Sequence, residues 1–275
     1  MQGGAALELL GLFGQGIDGS FSPFLHAAAL RATGREGQYM LWDVAPDDLG
    51  IALRGAYLLG ARGANVTKPF KQAAAQMVMR LDPWARRIGA VNVLRRTSGG
   101  WEGHNTDADG FWHPLAALSR PIARALVLGT GGAALAVCAV LVREGVSLRV
   151  AGRNREMLGR LGREFGAQTI DWRQRGDLAD VDLIVNATTV GSQSDDSPLD
   201  EESIPRGAIV YDLIYRPQPT KLLQSAKRRG CRTIGGGGML LGQAMLAWRL
   251  WYDEDPPHRA MASALELAMT RQDVS

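Results

Sequence analysis

Short apolar runs alternate with amphipathic, helix-like segments along the whole chain. Apolar runs predict strands at residues 7–13, 39–44, 63–66, 125–128, 148–151, 169–171, 181–186, 208–213 and 231–234. Apolar positions at helical spacing predict helices at residues 22–33, 46–59, 70–79, 107–118, 133–144, 239–251 and 258–270, with others between the later strands. Residues 91–96 and 100–104 predict a hairpin. Strands and helices alternating at this spacing indicate an α/β fold with two layers and largely parallel sheets.

The predicted strand at 125–128 runs directly into a glycine-rich turn and an alanine-rich helix. Its continuation, Gly129-Thr130-Gly131-Gly132-Ala133-Ala134, fits the pattern G-x-G-x-x-G/A. In that pattern Gly129 makes the tight turn, Gly131 lets the backbone approach a pyrophosphate, and Ala134 keeps the helix close to the strand. Free N–H groups and the helix dipole favour phosphate at such a helix start. The turn predicts a dinucleotide site, the alternative being an ordinary tight turn in a parallel sheet.

The end of the next predicted strand indicates which dinucleotide is bound. A site for NAD normally has Asp or Glu about 20 residues beyond the glycines, to bond the ribose 2′-OH. Here the strand ends in Gly152-Arg153-Asn154-Arg155, without an acid. The planar guanidinium of Arg153 matches a 2′-phosphate, so NADP is favoured over NAD. The alternative is that Arg153 and Arg155 are solvated charges at a helix start, a poor place for cations.

Composition narrows the class of protein. With 275 residues and a hydrophobic fraction of 46%, the chain is expected to form one large or two modest domains. The net charge of +3 comes from dispersed basic residues, which suits anionic small molecules and does not favour nucleic acid. Two cysteines, Cys138 and Cys231, lack disulfide or metal-ligand spacing and are expected to be small core residues. Without a signal-like N-terminus or a long apolar run, a cytoplasmic protein away from membranes is expected, and no metal.

Two domains with a cleft between them are expected. The predicted organisation is a substrate-binding and catalytic α/β domain at residues 1–107 and a Rossmann-like dinucleotide domain at residues 108–238. The C-terminal helices at residues 239–275 are expected to return to the first domain. A cleft between two α/β domains is the natural active site.

Polar residues with candidate chemistry follow the predicted strands of the first domain. Ser20 and Ser22 offer two hydroxyls, although Ser22 is also a good cap for the helix that continues with Pro23. Asn65 and Thr67 alternate toward one face at the end of a strand, and Lys71 follows one turn into a helix.

Lys71 and Asp107 are the candidate acid–base pair. Asp107 could hold the charge and position of Lys71, its alternative role being the cap of its own helix. A Lys–Asp pair beside a nicotinamide is a workable proton shuttle for alcohol oxidation.

These segments, taken in order, resemble the shikimate dehydrogenases and the related quinate/shikimate dehydrogenases. The matching motifs are Ser20-x-Ser22-Pro23, Asn65-Val66-Thr67-x-Pro69-x-Lys71, Gly89-Ala90-Val91-Asn92, Asn105-Thr106-Asp107, Gly129-x-Gly131-Gly132-Ala133, Asn186-Ala187-Thr188, Tyr211-Asp212-x-x-Tyr215-x-Pro217-x-x-Thr220-x-Leu222-Leu223 and Gly238-Met239-Leu240-x-x-Gln243. The resemblance spans nearly the whole chain.

The resemblance implies an oxidoreductase that interconverts a cyclic 3-hydroxy acid, shikimate, and its 3-dehydro form. It implies a catalytic pair of Lys71 and Asp107. The residues implied to bind the substrate are Ser20, Ser22, Asn65, Thr67, Asn92, Asp107, Tyr215 and Gln243. The residues implied to bind NADP are Gly129, Gly131, Gly132, Ala133, Arg153, Asn154, Asn186, Ala187, Thr188, Gly236 and Met239.

The chain departs from the family pattern at several positions. Before the first serine the usual pattern is G-x-P-I-x-H-S, whereas here Gly16 replaces the proline and Gly19 the histidine, which predicts a looser loop. Val93 stands where threonine is usual, and Gly152-Arg153-Asn154 where many members have Asn-Arg-Thr. These changes suggest a paralogue with a shifted substrate preference or weak activity on shikimate.

Two other functions therefore stay open from the sequence. One is an enzyme acting on quinate or another hydroxy acid with NAD or NADP, and the other is a ligand-binding relative with little turnover. A non-catalytic relative would be expected to lose Lys71 or Asp107, and both are present. A monomer or homodimer is expected.

Overall fold

The computed structural model describes residues 7–178 and 180–271, and their contacts divide them into two compact units. Unit 1 comprises the described residues up to Thr106 and from Leu241 onward. Unit 2 runs from Asp107 to Leu240.

The strands and helices alternate, and both types of element lie in each unit. The strands are β1 (Glu8–Gly14), β2 (Gly37–Asp43), β3 (Gly63–Val66), β4 (Arg80–Leu81), β5 (Val93–Thr97), β6 (Gly100–His104), β7 (Arg124–Leu128), β8 (Ser147–Gly152), β9 (Gln168–Asp171), β10 (Leu183–Asn186), β11 (Ile209–Asp212) and β12 (Arg232–Ile234). The α-helices are α1 (Ser22–Ala32), α2 (Leu49–Leu58), α3 (Lys71–Met77), α4 (Pro83–Ile88), α5 (Asp107–Ala116), α6 (Gly132–Arg143), α7 (Arg155–Phe165), α8 (Lys221–Arg228), α9 (Gly237–Tyr252) and α10 (His258–Arg271). Short 3₁₀ turns lie at Pro46–Asp48, Trp172–Gln174 and Glu201–Ser203.

The sheet of unit 1 has the strand order β2-β1-β3-β5-β6-β4 and is mixed. β1 is parallel to both β2 and β3, whereas β5 is antiparallel to β3 and to β6. The predicted hairpin of β5 and β6 is thus observed. The expectation of a largely parallel sheet is wrong for β5, which is antiparallel to both of its neighbours. The hairpin returns the chain antiparallel beside β5 as β6, without the crossover helix that a parallel neighbour needs.

The sheet of unit 2 has the order β12-β11-β10-β7-β8-β9, and its neighbouring strands are parallel. Counted from β7, this is the strand order of a Rossmann sheet, whose order reverses between β7 and β10. The α/β fold class predicted from the sequence, with a Rossmann-like second half, is confirmed. Each central strand is almost wholly apolar because helices cover both faces of such a sheet.

Each unit has its own hydrophobic core. In unit 1 the core beneath the sheet includes Phe13, Leu53, Val66 and Trp101. In unit 2 a corresponding cluster includes Leu126, Ile184, Val210, Leu222 and Ala226.

The two cysteines differ in burial. Cys138 lies inside α6 as a buried core residue, and burial raises the pKa of its thiol to about 12. Cys231 is only partly buried at the edge of the unit 2 core. The expectation of a core position is therefore wrong for Cys231, because it precedes the peripheral strand β12.

Candidate active site

Parallel pairing of β1 and β3 brings together two of the predicted substrate segments. Phe13 lies opposite Val66 in register, so the loop after β1 and the loop after β3 begin at the same edge of the sheet. The Thr67 N–H donates to the Phe13 carbonyl at 2.9 Å, and the Gln15 N–H donates to the Lys68 carbonyl at 3.3 Å. The loop that carries Ser20 and the loop that carries Thr67 are therefore joined by backbone hydrogen bonds.

Ser22 does not cap α1 with its side chain. The N-cap position is Phe21, and α1 begins at Ser22 with Pro23 in its first turn. The Ser22 N–H instead donates to the Ser20 hydroxyl oxygen at 3.3 Å. The structure thus links the two serines and leaves the capping interpretation unsupported.

Polar side chains of unit 1 form a hydrogen-bonded chain that includes three of the predicted substrate residues. The Tyr39 hydroxyl donates to Asn65 Oδ1 at 2.8 Å, and Asn65 Nδ2 donates to the Asn92 carbonyl at 3.2 Å. The Asn92 side chain meets Thr106, accepting from its N–H at 2.7 Å and donating to its hydroxyl at 3.0 Å. The Thr106 hydroxyl lies 3.2 Å from the Gln243 carbonyl. The buried amides of Asn65 and Asn92 thus each have a donor for their oxygen and an acceptor for their nitrogen, which fixes their orientation.

Asp82 holds the segment that leads into Asp107. One of its carboxylate oxygens caps α4 by accepting from the Trp84 N–H at 2.8 Å, and the other accepts from the Asn105 N–H at 3.1 Å. The Asn105 side chain donates to the Ala90 carbonyl at 2.9 Å. The loop before Asn92 and the one before Asp107 are therefore fastened to each other.

The two predicted catalytic residues each open a helix. Lys71 is the first residue of α3 and is half-buried, and its carbonyl accepts from the Val91 N–H at 2.8 Å. Asp107 is the first residue of α5 and is buried. Lys71 belongs to unit 1 and Asp107 to unit 2, so the proposed pair draws one residue from each.

The loop after β1 is held more firmly than its glycines suggest. Gly16 has a φ of +62°, a conformation closed to proline. Its N–H lies 3.1 and 3.2 Å from the two carboxylate oxygens of Asp43, a bond that proline could not make. The expected loosening is therefore offset by a contact to the end of β2.

The glycine turn of unit 2 has the geometry that its sequence predicts. Gly129 has a φ of +114°, and a Cβ there would lie 2.8 Å from the Ala187 carbonyl oxygen. Helix α6 begins at Gly132, after the N-cap Gly131, and its first internal hydrogen bond runs from the Leu135 N–H to the Gly131 carbonyl. The N–H groups ahead of Leu135 lie in the turn where an anion binds in this type of fold.

Arg153 and Asn154 lie at the end of β8, and both are exposed. Asn154 is the N-cap of α7 and accepts from the Met157 N–H at 3.1 Å. Its oxygen therefore has a structural role, whereas Arg153 projects from the strand end predicted to meet the 2′-phosphate.

Asn186 at the end of β10 organises the neighbouring loops. It is wholly buried, accepts from the Thr188 N–H at 3.1 Å and donates to Asp212 Oδ1 at 3.0 Å. Asp212 also accepts from the Thr220 hydroxyl at 2.7 Å. Burial raises the pKa of Asp212, against the hydrogen bonds from Thr220, Ile214 and Asn186. Asn186 thus shapes the turn on which Ala187 and Thr188 are placed.

The remaining predicted residues of unit 2 follow β11 and β12. Tyr215 is half-buried, and burial raises its pKa. A Cβ on Gly236 would lie 2.3 Å from the Leu213 carbonyl oxygen, so glycine is required where these two loops meet. Met239 lies in the first turn of α9.

Two residues that matter in this geometry are not singled out by the sequence, namely Tyr39 and Asp82, whereas Asp212 and Thr220 stand in a matching motif without an assigned role. Asp82 before Pro83 carries a readable signal, an N-cap residue followed by proline. Tyr39 carries a weaker one, as the aromatic residue with a polar end in β2.

Within the described residues, no group of three or more His, Cys, Asp or Glu side chains could hold a metal ion. Over the same residues, every helix is too short or too polar to cross a membrane.

The Rossmann strand order, the left-handed Gly129 and the uncapped start of α6 define unit 2 as a dinucleotide-binding domain of the Rossmann class. Comparison with known proteins identifies the family. Residues 12–94 match the family model of the shikimate dehydrogenase substrate binding domain. The shikimate dehydrogenase (NADP(+)) of Synechocystis sp. is 37% identical over 274 residues, covering 94% of this chain and 94% of that protein.

Solved structures agree. The shikimate 5-dehydrogenase of Thermus thermophilus, in complex with NADP(H) and shikimate, has a TM-score of 0.89 at 36% identity and covers 95% of this chain and 100% of its own. The quinate dehydrogenase of Corynebacterium glutamicum, in complex with NAD, has a TM-score of 0.87 at 31% identity, covering 95% and 99%. The chain belongs to the shikimate dehydrogenase family.

Proposed function

We propose that the chain is an NADP-dependent oxidoreductase that interconverts shikimate and 3-dehydroshikimate. The observation that carries this proposal is the likeness, over 95% of the chain, to a structure that contains both NADP(H) and shikimate. The chain's own support is the glycine turn at the β7–α6 junction, where the backbone approaches Ala187 too closely for any side chain at Gly129.

Lys71 and Asp107 are proposed to move the proton of the reaction. Bound NADP⁺ supplies the hydride acceptor, so the carbon that bears the reacting hydroxyl loses a hydride. The hydroxyl must then lose its proton as the carbonyl forms, and the Lys71 amine is proposed to take it. Asp107 is proposed to orient Lys71 and to hold its charge. Reduction reverses these transfers.

The residues proposed to bind the substrate include Ser22, Asn65, Asn92, Asp107 and Gln243. Ser20, Thr67 and Tyr215 are proposed to complete this set. A substrate rich in hydroxyls needs many fixed hydrogen-bonding partners, and a site built from them rejects analogues that leave a partner unpaired.

Arg153 is proposed to select NADP by binding its 2′-phosphate. It follows β8 at an exposed position, and the residues around it, Gly152-Arg153-Asn154-Arg155, contain no acid that would bind the 2′-OH of NAD. Asn154 caps α7 through its side-chain oxygen, and its amide nitrogen is proposed to donate to the cofactor.

Oxidation of quinate is the second candidate activity. It is favoured by the likeness to a quinate dehydrogenase and by Gly16, Gly19 and Val93, which depart from the family pattern near the proposed substrate residues. These positions could alter which ring substituents fit.

A panel of hydroxy acids, assayed with NADP and with NAD by the absorbance of the reduced nicotinamide, tests the proposal. We expect the highest kcat/KM for shikimate with NADP. A higher value for quinate would overturn the substrate assignment. If no compound is oxidised, the chain is a ligand-binding relative instead.

We also propose a cytoplasmic monomer or homodimer. Cell fractionation tests the location, and sedimentation velocity tests the assembly state.

A further inference from the structure

Asp82 lies where β4 ends and α4 begins, beside the segment that leads into Asp107. Its backbone N–H donates to the Gly103 carbonyl at 2.9 Å, which continues the parallel pairing of β4 with β6 by one residue. The next residue, Pro83, has no N–H and is the first residue of α4. The backbone after Asp82 therefore cannot continue the pairing, although the neighbouring chain runs on from β6.

The side chain of Asp82 supplies the next hydrogen bond of that pairing. In a parallel pair, a residue donates to one partner residue and accepts, through its carbonyl, from the residue two positions later. The Asp82 carbonyl is already used, because it accepts from the Arg86 N–H in the first turn of α4 at 3.0 Å. Its carboxylate takes over, and Oδ2 accepts from the Asn105 N–H at 3.1 Å, two residues after Gly103.

The opposite edge of the same segment is held by Asn92. The Asn92 N–H donates to the His104 carbonyl at 3.0 Å, and Asn92 Oδ1 accepts from the Thr106 N–H at 2.7 Å. Because backbone groups of an extended segment point alternately to its two sides, residues 103 and 105 face Asp82 while residues 104 and 106 face Asn92. The two side chains thus hold different edges, and neither replaces the other.

The second oxygen of Asp82 fixes the start of α4. Oδ1 accepts from the Trp84 N–H at 2.8 Å, and α4 ends at Gly89 with a φ of +71°. The chain then returns to the same segment, where the Asn105 side chain donates to the Ala90 carbonyl at 2.9 Å. One carboxylate therefore joins both the start of α4 and the segment to which the end of α4 is bound.

The loop after α4 also contacts the backbone of Lys71, whose carbonyl accepts from the Val91 N–H at 2.8 Å. Thr106, which Asn92 holds, directly precedes Asp107, the first residue of α5. The hydrogen bonds around Asp82 therefore lead along the backbone to both residues of the proposed acid–base pair.

The bond between Asp82 and Asn105 is shielded from water. The Asp82 side chain is 17% exposed and Asn105 is 5% exposed. An N–H bonded to a carboxylate is held more strongly than one bonded to a neutral acceptor. His104 Nδ1 lies 3.6 Å from the same oxygen, too far for a hydrogen bond.

We propose that Asp82 is a positioning residue for the proton transfer. Its Oδ2 fixes the main chain at Asn105 and thereby the point at which Asp107 enters α5. The inference rests on the proposed function, because it assumes that Asp107 assists Lys71.

The test compares Asp82→Asn and Asp82→Ser with the wild-type protein. Asn and Ser cap helices about as well as Asp, so each keeps an acceptor for α4. Neither has a second oxygen for the Asn105 N–H. We expect both variants to lower kcat for shikimate oxidation with NADP by about tenfold, since a misplacement of 1 Å can cost about 100-fold. The kcat is referred to the number of shikimate-binding sites, counted by calorimetry.

The matched control is Asp182→Asn in unit 2. Asp182 Oδ2 also accepts from backbone N–H groups, those of Ala123 at 3.0 Å and Arg124 at 2.9 Å, at the start of β7. The substitution removes the same charge from a carboxylate that holds backbone, but at a different strand. We expect its kcat per binding site to stay within about twofold of the wild-type value.

A purely structural role for Asp82 would lower Tm and the number of binding sites without changing turnover at each site. A kcat per site within about twofold of wild type in both Asp82 variants therefore overturns the inference, whatever the Tm. An equal loss in Asp182→Asn overturns it as well, because the effect would then not depend on Asn105. Failure of the proposed function looks different, since the wild-type protein would then not oxidise shikimate.

Discussion

Lys71 is the residue on which the proposed proton transfer depends. Positioned acid–base groups accelerate reactions by about 10²–10⁴-fold. We expect Lys71→Ala to lower kcat for shikimate oxidation by about 100-fold or more, while the Kd for shikimate changes little. Steady-state kinetics with a parallel binding titration measures both.

Lys68 provides the control for Lys71, because it is an exposed lysine three residues earlier. Its hydrogen bond from Gln15 is accepted by the backbone carbonyl, so Lys68→Ala keeps that bond. Lys68→Ala should retain kcat within about twofold, an ordinary effect for a surface substitution. Similar losses in the two variants would remove Lys71 from the proposed catalytic role.

Arg153 is expected to distinguish the two dinucleotides. A guanidinium paired with a phosphate is a charge-assisted contact, and such bonds contribute about 1.5–3 kcal/mol, or about 10- to 100-fold in affinity. Arg153→Ala should therefore raise the KM for NADP by that factor and leave the KM for NAD nearly unchanged.

Arg155 is the matched control for this change, since it is an exposed arginine two residues later and begins α7. Arg155→Ala should affect neither cofactor by more than about twofold. Equal losses for NADP and NAD in Arg153→Ala would contradict recognition of the 2′-phosphate.

At the scale of elements, Glu102 joins three strands of unit 1. Its buried carboxylate on β6 accepts from Arg80 Nε on β4 and from Arg95 Nε on β5, each at 2.9 Å. Burial acts to raise the pKa of Glu102, but the hydrogen bonds from Arg95 and Arg80 outweigh it and lower the pKa to about 2.

This shift gives Glu102 a defined dependence on pH. The folded pKa lies below the ordinary value of 4.5, so the stabilisation is fully present above pH 4.5 and is lost as the pH falls toward 2. We expect Glu102→Gln to lower the free energy of unfolding by about 1–2 kcal/mol at neutral pH. This is less than for a fully buried pair, because Arg80 is 65% exposed.

Urea unfolding at several pH values measures the contribution of Glu102. The gap between wild type and Glu102→Gln should narrow below pH 4.5. The exposed Glu36 supplies the control, since Glu36→Gln makes the same charge change at the surface. A gap that stays constant down to pH 2 would mean that the ion pairs do not stabilise the sheet.

The sequence predicts most elements because periodicity and end signals agree, and it fails where a short element has neither. The periodicity predicts one helix over residues 70–79, but α3 ends at Met77 and Val78 is extended. Helix α4 is absent from the prediction, although Asp82 caps it and Gly89 ends it with a φ of +71°. Six residues are too few for a helical period to show.

The residues of the candidate site likewise divide into those that the sequence predicts and those that it does not. The glycine turn could be predicted because it depends on local backbone geometry at Gly129. Tyr39 could not, because its importance comes from contacts with Asn65 and His26, which belong to other elements. Pairing between distant segments follows from packing, and the polar aromatic residue in β2 does not by itself indicate its partners.

At the scale of the molecule, the proposed ligands fall on different units. The proposed cofactor residues belong to unit 2, whereas unit 1 holds Lys71 together with Ser22, Asn65, Asn92 and Gln243. Asp107 and Tyr215 are the proposed substrate residues that belong to unit 2. The proposed catalytic and binding residues therefore come from both units, while each ligand is expected to protect mainly one of them.

Hydrogen exchange measured by mass spectrometry tests this division. The N–H groups of Gly132, Ala133 and Ala134 precede the first internal bond of α6, so they should exchange readily without ligand. Saturating NADP should slow exchange most in this turn, because phosphate oxygens accept from such groups. Saturating shikimate alone should instead protect the link between β1 and α1 and the residues around Asn65 and Thr67. Strongest protection of unit 1 by NADP would show that the cofactor binds elsewhere, and the glycine turn would then be only a tight turn between strand and helix.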